Sequence, residues 1–214
     1  MAIFHNVNIL SLFDYSGHMK NAFQNLGYHC ISSNLEQNKE NYSVDLIGDF
    51  MQLDYQAYIN QPPQLIFAAI PCQAFSKASG GKHFKNGVPQ TPIAHKSLNM
   101  LDKIKDLTLQ WDCGLVIENP AGGLCNNPYF QKHLPLQFNR VPQGQYGFKT
   151  PKYTDIFSNF PLLIMSNPIY RVNGRISDIK LENMSYRQKT TFPVTFCKLL
   201  AKAINNQFLQ PNFN

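Results

Sequence analysis

The stretch Val7-Asn-Ile-Leu-Ser-Leu-Phe13, followed by Asp14-Tyr-Ser-Gly17, decides the fold. Its apolar run is too short for a helix and predicts a buried β-strand that ends in a polar turn. Residues 18–26 then carry apolar side chains at helical spacing, and Gly27 predicts the end of that helix. With a second short strand expected over 28–32, this unit predicts an α/β fold built on a doubly wound, mostly parallel sheet.

The same alternation continues along the chain. Further strands are predicted at 45–49, 64–70 and 114–117, helices at 95–110 and 196–208, and an irregular strand or hairpin at 148–157. Residues 77–95 are rich in Gly, Lys and Pro, so they form the longest segment predicted to lack regular structure. A chain of 214 residues with one continuous pattern is expected to be a single domain spanning 1–214.

Composition and charge restrict the class of partner. The net charge of +6 makes nucleic acid a reasonable partner, through contacts with phosphates. The five cysteines form no Cys-x-x-Cys pair, which favours a reduced, intracellular setting over a disulfide framework or a zinc site, and no metal is expected. Because the sequence shows neither a signal-peptide pattern nor the roughly 18 apolar residues that span a bilayer, we expect a cytoplasmic protein with no membrane partner.

Polar or reactive residues follow three of the predicted strands: Asp14 to Gly17, Pro71-Cys72 and Glu118-Asn119. Ligands of open α/β sheets bind beyond the carboxyl ends of the strands, so these groups are expected to converge. Cys72, after a buried strand and a proline, is either a nucleophile or a buried small hydrophobe. Glu118 follows three apolar residues, where desolvation raises a carboxyl pKa, although a cap or a solvated loop carboxylate is the simpler interpretation.

Together these segments resemble the DNA cytosine-5 methyltransferase family. Residues 66–76, Ile-Phe-Ala-Ala-Ile-Pro-Cys-Gln-Ala-Phe-Ser, resemble its Pro-Cys-Gln-x-Phe-Ser nucleophile motif, and Glu118-Asn119 resembles its Glu-Asn motif. Residues 10–17 resemble the cofactor loop and 48–50 the segment that contacts adenine. Residues 146–154 resemble the Tyr-Gly-x-Pro-Gln-x-Arg-x-Arg motif, and 187–203 the closing helix of short, phage-type members. The resemblance covers most of the chain.

The resemblance implies a Rossmann-like methyltransferase that transfers a methyl group from S-adenosylmethionine to carbon 5 of cytosine in DNA. Cys72 would attack ring carbon 6, and Glu118 would protonate or hydrogen-bond ring nitrogen 3. Lys152 stands at the first arginine position of its motif and is the third catalytic candidate, through contacts with the cytosine or its phosphate. The target base would be flipped out of a duplex or lie in single-stranded DNA.

A cofactor site is implied as well, with Phe13, Gly17, Asn34, Glu36, Asp49, Phe50 and Pro71 as its candidate residues. Gly17 would permit close backbone approach, and Asp49 would accept a hydrogen bond from the adenine amino group. Glu36, with Asn34 nearly as well placed, would bind the ribose hydroxyls. Core aromatics, a turn glycine and surface acids explain each of these residues equally well when taken singly.

The sequence also departs from the family pattern. Ser11 and Tyr15 replace an acidic residue and a glycine of the cofactor loop, and Thr154 stands at the second arginine position. Residues 160–186 are too few for a target-recognition domain and are expected to be a vestigial insertion. Short or relaxed specificity, or recognition supplied by a partner subunit, would follow. The insertion offers Arg171 and Arg175 as candidate phosphate contacts.

Three further questions stay open at the level of sequence. The loop after Cys72 carries Lys82, His83 and Lys85, which either touch the DNA strand or are solvated. The same catalytic pair could act on RNA. A catalytically silent nucleic-acid-binding relative is the third alternative, favoured by the altered cofactor loop and opposed by the intact Cys72 and Glu118.

Overall fold

A computed structural model describes residues 3–37, 43–146, 148, 152–164 and 191–210. The strands are β1 Ile9–Leu12, β2 Cys30–Asn34, β3 Leu46–Ile47, β4 Leu65–Ala69, β5 Phe84–Lys85, β6 Val88–Pro89, β7 Gly114–Pro120, β8 Gln137–Pro142 and β9 Tyr153–Ser158. The α-helices are α1 His18–Gln24, α2 Tyr55–Tyr58, α3 Pro92–Trp111, α4 Pro128–His133 and α5 Val194–Ile204.

Seven strands form one sheet in the order β3-β2-β1-β4-β7-β9-β8, and β5 pairs with β6 in a separate hairpin. Within this sheet β3, β2, β1, β4 and β7 are parallel to one another. β9 runs antiparallel to both β7 and β8. The strand order reverses between β1 and β4. The carboxyl ends of these two strands therefore flank the crevice where ligands of open α/β sheets bind.

Both faces of the sheet are buried, which explains why its central strands are mostly apolar. On one face, Leu10 and Ile66 pack with Leu101 and Ile104 of α3. On the other, Ile9 and Phe67 pack with side chains of α1 and α5, including Met19, Phe23, Phe196 and Leu200. Neighbouring residues of β1 and β4 thus enter opposite cores, as the two-residue period of a strand requires.

The predicted doubly wound sheet is confirmed, with differences at the ends of elements. The strand predicted at 28–32 lies at Cys30–Asn34, two residues later, so Asn34 ends it. β7 runs to Pro120 and contains Glu118 and Asn119, which were expected to follow the strand. α3 begins at Pro92 rather than 95, because the Thr91 side chain caps it by accepting a hydrogen bond from the Ala94 amide.

The prediction that residues 77–95 lack regular structure is wrong. Lys77–Ser79 form a 3₁₀ turn, and β5 and β6 form a hairpin around Asn86 (φ 51°) and Gly87 (φ 80°). Two adjacent residues with positive φ favour this kind of tight hairpin. The irregular strand predicted at 148–157 corresponds to β9, whose partner β8 was not predicted.

Within the described residues, no helix is long and apolar enough to cross a membrane. The same part of the chain contains no group of three or more His, Cys, Asp or Glu side chains arranged to hold a metal ion. Most of the insertion predicted at 160–186 lies outside the described residues, together with Arg171, Arg175 and Arg187. The expectations for these residues stay predictions.

Candidate active site at the carboxyl edge of the sheet

The turn after β1 is held by buried polar contacts. Phe13 lies in the left-handed region with φ 60°, a strained conformation for a bulky residue, and Gly17 has φ 68°. Asp14 is buried and accepts hydrogen bonds from the Lys20 amide at 2.9 Å and the Ser16 hydroxyl at 3.2 Å. Its burial raises the carboxyl pKa, against the effect of these donors. Strain at a ligand-binding edge is a common feature of functional sites.

Aromatic rings and a carboxylate lie beside this turn, at the end of β3. The rings of Phe13 and Phe50 meet edge to face, 5.0 Å between centroids. One oxygen of Asp49 accepts a hydrogen bond from the Met51 amide at 3.1 Å, which lowers the Asp49 pKa. The other pairs with the exposed Lys96 ammonium at 3.3 Å. An ionised acceptor therefore stands next to an aromatic surface.

Lys103 of α3 anchors this segment, a role that the sequence did not reveal. Its ammonium donates to the carbonyls of Phe50, Met51 and Leu53 at 2.7, 3.2 and 2.8 Å. It also lies 5.2 Å from the centre of the Phe50 ring, within cation–π range. Burial lowers the Lys103 pKa, and the nearby carboxylates Asp54 and Asp49 oppose that shift. The turn carrying Phe50 is thus tied directly to the core helix.

The two candidates for the ribose site occupy different environments. Asn34 is the last residue of β2 and half-buried, and its side-chain oxygen accepts a hydrogen bond from the Leu35 amide at 2.9 Å. Glu36 is exposed and lies two residues beyond the end of β2. Asn34 consequently lies closer to the sheet edge than Glu36 does.

Cys72 lies on a turn directly after β4. Its thiol is free and half-buried, and its carbonyl accepts hydrogen bonds from the Phe75 and Ser76 amides at 3.0 and 2.8 Å. The Asn119 amide group of β7 donates to the Ile70 carbonyl at 3.1 Å, so the strand that carries Glu118 also holds the start of this turn. Pro71, half-buried, separates Ile70 from Cys72.

Glu118 lies beside this turn because β7 pairs with β4. It is in register with Ala69 of β4 on one side and Ile156 of β9 on the other. Only 3% of Glu118 is exposed, and its carboxyl group accepts a hydrogen bond from the Thr154 hydroxyl. Burial raises the Glu118 pKa, whereas Lys152 and the Thr154 hydroxyl oppose the rise. The buried site therefore favours the protonated form of Glu118 more than water does.

Lys152 is the third catalytic candidate and lies directly before β9, two residues before Thr154. Its ammonium lies 5.3 Å and 6.0 Å from the ring centres of Phe148 and Phe192. Burial lowers the Lys152 pKa, and the charges of Glu118 and Cys72 oppose that shift.

The charges of Glu118 and Lys152 both affect the pKa of the Cys72 thiol. Burial raises its pKa, the Glu118 charge raises it further, and Lys152 lowers it. The structure thus brings the three predicted catalytic side chains, Cys72, Glu118 and Lys152, into one electrostatic environment.

The expectation that His83 touches the DNA strand or is solvated is wrong. Its side chain is buried, and its ring nitrogen Nδ1 bonds the Thr91 hydroxyl at 2.7 Å, beside the start of α3. This contact gives His83 a structural role in the hairpin. Lys82 and Lys85 are exposed, so they remain accessible to a polyanion.

The residues at the carboxyl edge fit S-adenosylmethionine by their chemistry. A glycine with positive φ, an edge-to-face aromatic pair and an ionised carboxylate surround the end of β1 and the neighbouring turn. These are groups that would accommodate a backbone approach, an adenine ring and an exocyclic amino group. Phe13, Gly17, Asp49 and Phe50 supply them, with Asn34 and Pro71 at the adjacent strand ends.

Comparison with known proteins agrees with this arrangement. The family model for C-5 cytosine-specific DNA methylase matches residues 7–105, which include the first turn, the Phe50 segment and the Cys72 turn. Over these residues the chain is similar to the C-5 cytosine-specific DNA methylase family. The methylase match ends before Glu118 and Lys152, so their assignment rests on strand register and the motif resemblance. No curated protein matches the chain significantly.

A solved structure has a similar fold. A candidate DNA modification methyltransferase encoded within a prophage of E. coli aligns with 15% identity and a TM-score of 0.50, over 71% of this chain and 46% of that protein. The Dnmt2 methyltransferase of S. pombe aligns with 15% identity and a TM-score of 0.49, over 72% of this chain and 49% of that protein. The chain therefore spans about half the length of these structures.

Proposed function

We propose that this protein is a DNA cytosine-5 methyltransferase that uses S-adenosylmethionine and forms a covalent adduct through Cys72. The observation that carries the proposal is the convergence of Cys72 and Glu118. Cys72 follows β4, Glu118 lies within the adjacent parallel strand β7, and Ala69 of β4 is in register with Glu118. A half-buried thiol next to a buried carboxyl group of raised pKa is the pair that activation of cytosine requires.

Carbon 5 of cytosine is a poor nucleophile, and the two side chains would correct this. The Cys72 sulfur bonds to carbon 6 while Glu118 delivers its proton to ring nitrogen 3, so the electron pair of the carbon 5–carbon 6 double bond becomes available at carbon 5. Bound S-adenosylmethionine would supply an electrophilic methyl group for that carbon. Loss of the carbon 5 proton then expels Cys72, and nitrogen 3 returns its proton to Glu118.

The Cys72 thiol must lose its proton before or during attack, because the thiolate is the nucleophile. Its raised pKa keeps it protonated in the resting site, and the Lys152 ammonium is the neighbour that favours the thiolate. Lys152 is further suited to contact the cytosine carbonyl or a phosphate. As a point charge, it lacks the planar fork of the arginine that the family motif carries there.

The cofactor is proposed to occupy the edge formed by Phe13, Gly17, Asn34, Asp49 and Phe50, with Pro71 beside it. Asp49 accepts from the adenine amino group, and Asn34 is the better placed residue for the ribose hydroxyls, with Glu36 further out. The target cytosine is proposed to leave the base stack, since neither ring face is accessible within a duplex. A partner subunit or residues 160–186 would supply sequence recognition.

A reducing, cytoplasmic setting is proposed as well. The five cysteines are free thiols, including the half-buried Cys72 and Cys125. An adduct-forming cysteine works only as a thiol or thiolate, which the glutathione-buffered cytoplasm maintains.

The test is methyl transfer to matched substrates. The protein is incubated with methyl-labelled S-adenosylmethionine and with DNA duplex, single-stranded DNA or RNA of the same sequence, and the digested nucleosides are identified by mass. The proposal predicts 5-methylcytosine in DNA. It further predicts loss in Cys72→Ser and Glu118→Gln, and retention in Cys125→Ser, the matched half-buried cysteine.

Each other outcome has a definite meaning. Methylation of RNA alone would show that the substrate is RNA, with the same methyl-transfer chemistry. Absence of transfer to every substrate, with no binding of S-adenosylmethionine by calorimetry, contradicts the proposed enzyme and favours a silent nucleic-acid-binding relative.

A further inference from the structure

The Thr154 hydroxyl lies between two acceptors. Thr154 has no exposed surface, and its oxygen contacts both the Glu118 carboxyl group and the Asn119 carbonyl, the latter at 3.1 Å. A hydroxyl group has one proton to donate and two lone pairs to accept with. Thr154 therefore donates to one of these oxygens at a time.

We propose that Thr154 is a positioning residue whose hydroxyl group hydrogen-bonds Glu118 in both protonation states of that carboxyl group. When Glu118 is ionised, the hydroxyl donates to it. When Glu118 carries a proton, the hydroxyl turns its own proton to the Asn119 carbonyl and accepts from Glu118. This inference rests on the proposed function, in which Glu118 gives up and regains a proton in each turnover.

Burial makes such a partner necessary. Glu118 is almost fully enclosed, so a protonation state without a hydrogen-bond partner would carry the desolvation cost of an unsatisfied polar group. The family motif has an arginine at the position of Thr154, and an arginine side chain only donates. It would stabilise the carboxylate alone, whereas a hydroxyl serves the carboxylate and the acid.

Four other titratable groups act on or near Glu118 and are unchanged by a substitution at Thr154. Lys152 lowers the Glu118 pKa, and Asp155 raises it. The Glu118 charge raises the pKa of two thiols, Cys72 on the turn after β4 and Cys197 on α5. Any effect of Thr154 on the Glu118 titration is therefore measured against a constant background.

The experiment is a titration that needs neither substrate nor cofactor. The protein contains four glutamates, and labelling their side-chain carboxyl carbons with ¹³C gives four resonances, of which Glu118→Gln removes the relevant one. Thr154→Val and Thr154→Ala delete the hydroxyl, and Thr154→Ser keeps it. Thr108→Val is the matched control, because the buried Thr108 hydroxyl donates to the Ile104 carbonyl of α3.

The hydrogen bond to a charged acceptor is the stronger of the two, so its loss destabilises the carboxylate more than the acid. The Glu118 titration is expected to move upward by about one pH unit in Thr154→Val and Thr154→Ala. Thr154→Ser and Thr108→Val are expected to titrate as the unmodified protein does. In the methyl-transfer assay, Thr154→Val should shift the pH profile in the same direction, and Thr154→Ser should restore it.

The inference is overturned if both deletion variants titrate at or below the pH of the unmodified protein, or if Thr154→Ser behaves as they do. Failure of the proposed function is seen separately, as absence of methyl transfer by the unmodified protein. In that case an upward movement of the titration would still establish the pairing of Thr154 with Glu118.

Discussion

Gly122→Ala is expected to displace the turn that carries Cys72. Gly122 lies two residues after β7, and a Cβ atom placed there would stand 2.4 Å from the Phe75 carbonyl oxygen. That oxygen also accepts a hydrogen bond from the Gly123 amide at 2.7 Å. Phe75 in turn donates its amide to the Cys72 carbonyl, so a push on Phe75 is transmitted to the nucleophile.

The size of the effect follows from the clash. An ordinary carbon–oxygen contact is about 3.4 Å, so one or both backbones must move by roughly 1 Å, since neither contacting group is a flexible side-chain end. A displacement of this size at a reacting atom reduces rates about 100-fold. The overpacking itself should cost about 1–3 kcal/mol of unfolding free energy.

Gly123→Ala is the matched control, because its Cβ would stand 3.3 Å from the same oxygen and needs a shift of a few tenths of an ångström. Both variants are measured for single-turnover methyl transfer and for urea unfolding. We expect about a 100-fold loss for Gly122→Ala and less than a 10-fold loss for Gly123→Ala. Equal rates in the two variants, or a normal rate and normal stability in Gly122→Ala, would refute the reasoning.

Three further predictions follow from charges and contacts of the site. Alkylation of Cys72 by iodoacetamide should accelerate as the pH rises toward the raised pKa of the thiol. Glu118→Gln should move this pH profile to lower pH, and Lys152→Met should move it to higher pH. Movements in the opposite directions would contradict the proposed effects of these two charges on the thiol. Because the folded-state pKa of Glu118 is raised, its contribution to stability is full below the ordinary carboxyl value of 4.5 and is lost as pH rises through the folded value. Urea unfolding should therefore show the unmodified protein losing stability relative to Glu118→Gln across that range, by about 1.4 kcal/mol for each pH unit that separates the folded and unfolded pKa values; parallel curves would be evidence against it. Lys103→Met removes the ammonium that binds three carbonyls and should weaken S-adenosylmethionine binding about 10-fold in calorimetry. Lys96→Met breaks only an exposed ion pair and should change the affinity little. Equal effects of the two substitutions would exclude an anchoring role for Lys103.

The central sheet was predictable because its strands are buried on both faces. Residues 7–13 and 64–70 are mostly apolar, and the structure places β1 and β4 within them. β8 escaped prediction because it is an edge strand with a single fully buried residue, Val141. Its polar sequence carries no periodic signal, and only its pairing with β9 defines it.

Two errors arose from signals that the sequence does contain. Asn86-Gly87 between short apolar segments is a strong hairpin signal, and Thr91-Pro92 is the usual start of a helix. Both lie within the segment that composition alone marked as a loop. His83 is a different case, because its burial depends on the hydroxyl of Thr91, which only the folded hairpin brings near.

Some features of the candidate site were likewise predictable from the sequence, and others arise only in the folded chain. The placement of Cys72 and Glu118 at the carboxyl edge of the sheet was predictable, because each closely follows apolar strand residues and parallel strands end at one edge. The contacts of Asn119 with Ile70, of Thr154 with Glu118 and of Lys103 with three carbonyls join residues distant in sequence. They depend on strand register and helix packing, which composition and spacing leave undetermined.

Covalent trapping is the most direct test of Cys72 as the nucleophile. The protein is mixed with S-adenosylmethionine and DNA that contains 5-fluorocytosine, whose fluorine blocks the last elimination step, and the product is mapped by peptide mass spectrometry. We expect a DNA adduct on the peptide that contains Cys72, absent in Cys72→Ser and present in Cys125→Ser. An adduct on another residue, or none from folded protein that binds both DNA and S-adenosylmethionine, would contradict it.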